Sequence, residues 1–209
     1  WVAFLDSDDY WYKDKLFKLM NQKVEDFDLM FHNMDILKND KFKIQKLRLT
    51  EINKKKYPSL METLLEEGNP MFNSAVIVRK SILNKIGNIS LDTVSHSMDY
   101  HTWLTISKIS NRFHAIDESL GVYRIHQYNL SNQVNQSYIY LDILNNFKKF
   151  ISLKSYNKSH GYYSYIRMEE LLNEKKKNEA FLQLIKVILK SKIKIKIKSV
   201  IKFFYFLIK

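Results

Sequence analysis

An apolar run that stops in carboxylates limits what this chain can fold into more than any other feature. It begins WVAFLDSDDYWYKDKL, so Trp1 to Leu5, suited to a buried strand, leads straight into Asp6, Asp8 and Asp9. A buried unpaired carboxylate is costly, and neighbouring carboxylates raise one another's cost unless a cation or a set of donors receives them. The strand must therefore end where positive charge can collect. On an extended segment residues two apart point to one side, so Asp6 and Asp8 can converge on a single Mg2+ or Mn2+ as hard oxygen ligands. Taken alone, such a triplet more often marks a solvated turn with a helix N-cap. Trp11, Leu16, Leu19 and Met20 recur at helical spacing, which predicts a helix over Tyr10 to Gln22 with Asp8 or Asp9 as its N-cap.

Further along, Phe27 to His32 and Asn73 to Arg79 predict strands, and Leu60 to Glu67 a helix closed by Gly68. Ser81 to Ile86 predicts a helical turn, and HSMDYHTWLTISKIS a longer helix with Asp99 near its start. Phe113 to Ile116 and Leu120 to His126 suit two short strands, residues 129 to 132 a turn, and Ile36 to Lys56 a loop or small hairpin. From Tyr138 the pattern is helical. With 4 Gly and 2 Pro in 209 residues, long elements joined by polar turns are expected rather than many tight hairpins. The composition shifts between Gln133 and Tyr138, which predicts an α/β part over residues 1–135 and a helical, basic extension over 136–209.

The absence of cysteine removes disulfides, thiolate metal sites and thiol nucleophiles, and fits a reducing compartment. No Gly-rich phosphate loop and no Gly-x-Ser-x-Gly elbow is present, so P-loop and serine-hydrolase chemistry have no support. Among His32, His96, His101, His114 and His160, no metal-ligand spacing occurs beyond His96 and His101. The net charge of +12 calls for an anionic partner. Its lysines concentrate in two blocks, Lys38 to Lys56 and Lys175 to Lys209, while the first thirty positions are net acidic. That separation argues against nucleic acid, which favours basic and aromatic residues interleaved around one groove. The chain starts with Trp inside a strand and shows no signal-peptide pattern, so it is expected to be part of a longer protein.

FLDSDDYWYKDKL resembles the segment of family-2 inverting glycosyltransferases that runs from a central strand through an Asp-x-Asp metal motif into a helix. Lys13-Asp14 stands where the family often has Pro. MDYHTWL at 98 to 104 resembles the family's Glu-Asp motif, with Asp99 at the aspartate and Met98 at the Glu position. GVYRIHQYNLSN, 121 to 132, resembles its Tyr-Arg-x-His segment, and NPMFNSAVIVRK, 69 to 80, the strand before the base helix. The blocks agree in order over residues 1 to 132. The resemblance implies a GT-A, Rossmann-like sheet that lacks its N-terminal nucleotide-binding half, so that this chain alone is expected to be weakly active or inactive. It implies Mg2+ or Mn2+ at Asp6 and Asp8, Asp99 as general base, and Arg124 and His126 against the diphosphate or acceptor. Asn73, Ser74 and Trp103 would lie on the acceptor side. The partners implied are a nucleotide sugar, in all expectation a UDP-sugar, and a glycan or lipid-linked acceptor in cell-surface polysaccharide synthesis at the cytoplasmic membrane face.

Lysines at 186, 190, 194, 198 and 202 recur at spacing four in the tail, while KIKIKIK alternates as a strand would. Lysines four apart repel unless a polyanion receives them, so a peripheral contact with an anionic membrane competes with an ordinary packed helix whose basic face is solvated. The apolar run from Phe203 to Ile208 falls far below the roughly 20 residues that cross a bilayer. A non-catalytic basic module, at a membrane surface or on nucleic acid, is the alternative to an enzyme.

Overall fold

A strand buried at every position must be covered on both faces, and Leu29 to Met34 is buried throughout, the polar His32 and Asn33 included. The computed structural model of the chain describes residues 1–38, 41–44, 58–89, 97–129 and 135–208. It divides into two units, one of Trp1–Met61 and Asn69–Asn129, the other of Glu62–Gly68 and Leu130–Lys209.

The first unit is mixed α/β. Its sheet contains β1 (Val2–Ala3), β2 (Tyr10–Trp11), β3 (Leu29–Lys38), β4 (Lys41–Ile44), β5 (Val76–Val78) and β6 (Phe113–Ile125). The order is β1-β5-β3-β6-β2, with β4 pairing the far half of β3. β3 and β6 are parallel, and every other pair is antiparallel. Helices α1 (Lys15–Met20), α3 (Lys80–Lys85) and α4 (Met98–Ile109) belong here, as does the start of α2 (Ser59–Glu67). Leu19, Met30, Ile77, Ile116 and Leu120 form one core cluster, which Ala3, Val24 and Phe27 extend.

Three sequence expectations change. Tyr10–Trp11 pairs with Val122 and Gly121 as a strand, so the first helix starts only at Lys15 and neither Asp8 nor Asp9 caps it. Aromatic residues suit a half-buried strand, and the edge of β6 receives them. The two strands expected over 113–126 are one. Between His32↔Ile116 and Asn33↔Ser119 the register slips, which pushes Asp117 and Glu118 out of the ladder to pair with Asn33 Nδ2 at 2.8 Å and Lys18 Nζ at 2.8 Å. The strand expected over Phe27 to His32 is β3, which starts at Leu29, runs on to Lys38 and turns into β4, the hairpin form of the lysine-rich stretch; residues 45–56 of that stretch and the 130–132 part of the expected turn lie outside the described residues.

Gly121 faces β2 closely. A Cβ there would stand 2.8 Å from the Tyr10 carbonyl oxygen and 3.2 Å from Met34 Sδ. Gly121→Ala is therefore expected to force β2 off β6 and to destabilise the unit by about 1–3 kcal/mol, read as a fall in melting temperature of about 5 °C. An unchanged melting curve would show that the strands separate without cost.

The second unit is helical, with α5 (Gln136–Phe147), α6 (Leu153–Asn173), α7 (Lys177–Lys190) and α8 (Ile193–Ile208). The end of α2 belongs to it, closed at Gly68 with φ +86°, as its sequence predicts. Tyr165, Met168, Leu171, Leu172, Leu184 and Phe203 centre its core. Glu170 accepts from the Ser137 backbone N–H (2.8 Å) and hydroxyl (2.6 Å), tying the start of α5 to α6. Buried Glu66 pairs with Lys192 at 2.7 Å and Lys158 at 3.4 Å, as a buried carboxylate requires.

Candidate functional site

The acidic segment after β1 is held by two parts of the sheet at once. Antiparallel pairing of β1 with β5 lays it beside the 3-10 turn Asn73–Ala75. There the Asp6 N–H donates to Ser74 Oγ at 2.9 Å, and Asn73 Nδ2 donates to Asp6 Oδ1 at 2.7 Å. Pairing of β2 with β6 brings the other end of the segment to the loop after β6. Asp9 Oδ1 accepts the Arg124 backbone N–H at 3.1 Å, and Asp8 Oδ2 lies 2.8 Å from His126 Nε2 and 3.3 Å from Asn129 Nδ2. Asn129 also donates to the Arg124 carbonyl at 3.0 Å and accepts from the His126 N–H at 2.5 Å, which shapes that loop.

Asp99 stands in the first turn of α4, as its sequence predicts, where the helix dipole favours a carboxylate. Asn69 Nδ2 donates to it at 3.3 Å, and Asn69 is itself fixed by the Met71 N–H at 3.0 Å. Burial nevertheless pushes the Asp99 carboxyl up to about 6, and the Asp6 charge adds to that rise. Asp9 is also raised by burial, then by Asp8 and Asp6, against the lowering effect of the Ser74 side chain and the Arg124 N–H. The sequence blocks at 6–9, 69–75, 99 and 124–129 thus meet within one unit.

The individual residues fall differently from expectation. Asp6 and Asp8 do not share a partner: the first turns to Asn73, the second to His126 and Asn129. Asn73 and Ser74 act first as holders of the acidic loop. Trp103 is fully buried and packs edge-on against Phe4 with ring centroids 5.5 Å apart, which leaves its ring no open surface. The Arg124 side chain is exposed, and its backbone rather than its guanidinium enters the network. Asp117 and Glu118 on the same strand bond to Asn33 and Lys18. His96 lies outside the described residues.

Sequence reasoning missed Lys15. It is 1% exposed, donates to the Ser74 carbonyl at 2.7 Å and sits 3.8 Å over the Trp11 ring, whose Nε1 donates to the same oxygen at 2.8 Å. Burial lowers its ammonium to about 7. Beside it His32 is fully buried; burial lowers it to about 4, and the Lys15 charge adds to that. Asn69 and Asn129 were missed as well; nothing in a lone asparagine distinguishes a holder of the site from a turn residue.

A hard divalent cation is compatible with this donor set. Asp9 Oδ2 is buried without a hydrogen-bond partner, and Asp9, raised by burial, is raised further by the charges of Asp8 and Asp6, which a cation would relieve. Among the described residues no three His, Cys, Asp or Glu side chains are grouped to hold a metal ion. Mg2+ commonly takes only one or two protein carboxylates and completes its shell with water and phosphate. Asp8 and Asp9, with Asp6 adjacent, are the residues that would hold it. No protein-family model matches the chain, and no curated protein is similar to it.

Proposed function

We propose that the protein is an inverting glycosyltransferase of the family-2, GT-A type, which moves a sugar from a UDP-sugar to a glycan or lipid-linked acceptor at the cytoplasmic membrane face. The observation that carries this reading is Asp99. A carboxyl raised to about 6 by burial, lying within reach of the Asp6 charge and fixed by Asn69, is a base matched to neutral pH beside an acidic cation-binding loop. A divalent cation bound at Asp8 and Asp9 would supply positive charge to a departing diphosphate. Asp99 takes the proton of the acceptor hydroxyl as that oxygen bonds to the anomeric carbon, while the bond from that carbon to the diphosphate breaks on the opposite face. One such displacement inverts the anomeric configuration. Asn73 and Ser74 hold Asp6, and His126 and Asn129 hold Asp8, so the charges stay in place without reorganisation.

The test uses the complete gene product, whatever its length, with the isolated chain alongside. Incubated with a panel of nucleotide sugars, the enzyme is expected to release nucleoside diphosphate, to lose activity to EDTA and to regain it with Mn2+. Asp8→Asn is expected to lower turnover about a hundredfold. Turnover indifferent to EDTA and to Asp8→Asn, or none from any donor, would sink the reading.

A further inference from the structure

The last two helices each carry a second apolar face that the core does not use. On α7 the buried residues are Ala180, Leu184 and Val187. Phe181, Leu182, Ile185, Ile188 and Leu189 fall together on a different side, within about a third of the helix circumference at 100° per residue. All five are exposed, Leu189 at 74%. α8 repeats the arrangement. Phe203 enters the core, while Ile193 (70% exposed), Ile197, Ile201 (66%) and Phe204 form a stripe at spacings of three and four. Isolated exposed apolar residues are ordinary, but stripes on two successive helices mark an interaction surface.

Charge decides what covers it. Residues 175–209 hold eleven lysines and one acid, Glu179. Lys194 borders the α8 stripe, Lys198 turns its ammonium to the Tyr165 ring at 5.0 Å, and Lys186 and Lys190 lie on the exposed side of α7. A second copy of the same face would set lysine against lysine. A nucleic acid would satisfy the lysines but gives isoleucine side chains nothing to enter. Anionic lipid satisfies both, with acyl chains beneath the apolar stripe and phosphates at the lysine level. No helix among the described residues is long and apolar enough to cross a membrane. We propose that α7 and α8 form a docking surface that lies in the interface of an anionic bilayer, with Ile193, Ile197, Ile201 and Phe204 inserted and Lys186 and Lys194 at the headgroups.

This inference does not rest on sugar transfer, and Asp99→Asn is expected to bind vesicles as the unaltered chain does. The experiment is sedimentation of the full chain with phosphatidylcholine vesicles, with and without phosphatidylglycerol. Binding is expected to the anionic vesicles and to be weak to the neutral ones. Replacing Ile197→Ser and Ile201→Ser together is expected to weaken partitioning at least about tenfold. Lys186→Gln and Lys194→Gln should each cost about fivefold. These positions are exposed, so circular dichroism and melting are expected to stay unchanged. Absence of binding to anionic vesicles would overturn the proposal. So would binding that ignores the isoleucine changes and is matched by heparin, since that is ionic attraction alone. A dimer by light scattering that Ile197→Ser dissociates, without vesicle binding, would assign the face to a second copy instead.

Discussion

Asp99→Asn is expected to stop sugar transfer and, in the same molecule, to raise the melting temperature above about pH 7. Under the proposed reaction, the loss of a positioned base costs about 10²–10⁴-fold in turnover, and the unaltered protein's rate should climb with pH through about 6. For stability the sign follows from the direction of the shift. Burial lifts the carboxyl from 3.8 to about 6, so between those values the folded state holds a proton that the unfolded chain has released. The contribution of Asp99 is fully present below the lower value and is lost as pH rises through the higher one. At neutral pH the ionised carboxylate then costs the fold on the order of 2 kcal/mol, which asparagine avoids. The two melting curves should converge near about pH 4 and separate above about 6. A variant that transfers sugar normally would remove Asp99 from the chemistry; one that melts lower at neutral pH would show that the carboxylate is not strained.

Lys15→Met is expected to abolish a rise in stability that the unaltered chain shows on the alkaline side. Burial lowers the Lys15 ammonium from 10.5 to about 7. Between those values the unfolded chain holds a proton that the folded state has given up, so stability grows with pH across that window, by at most on the order of 5 kcal/mol. Below about 7 the fold carries the full cost of a buried charge whose neighbours are a carbonyl and an indole ring. Methionine has similar length and no charge, and Trp11 Nε1 still serves the Ser74 carbonyl. The variant should therefore be at least as stable at about pH 6.5 and show a flatter profile to about pH 10. Parallel profiles from thermal melts across that range would refute the account.

How much of this was open to sequence reading varies with the physics of each element. α4 stands where its residues predict, whereas β3 overlaps its expected run only over Leu29 to His32 and continues to Lys38 through residues read as a loop or hairpin. α1 is six residues long, and its apparent apolar stripe misleads: Leu16, Phe17 and Met20 are exposed, while Lys15 and Leu19 are buried. Pairing of Tyr10–Trp11 with β6 and the Lys15 bond to Ser74 orient it, and both contacts come from residues about sixty or more positions away. The Asp117–Glu118 bulge leaves only a polar pair in the sequence, indistinguishable from a turn between two strands. Asp6, Asp8 and Asp99 could be picked out because the blocks around them resemble one family's motifs in order, whereas each alone reads as an ordinary turn or helix-start carboxylate. Their partners Asn69 and Asn129 could not, since distance in the chain hides them.

Ser74 is the common reference for four parts of the acidic segment. Its hydroxyl takes the Asp6 N–H and lowers Asp9, and its carbonyl receives Trp11 and Lys15. Under the proposed reaction this residue belongs to the side where an acceptor would bind. Selection for a new acceptor that worked through residues 73–75 would therefore shift the carboxylates as well, so that preference and catalytic competence would be inherited together. Variants of this protein should diversify at Arg124 or beyond Asn129 more freely than at Ser74, and a laboratory search for altered acceptors would begin there.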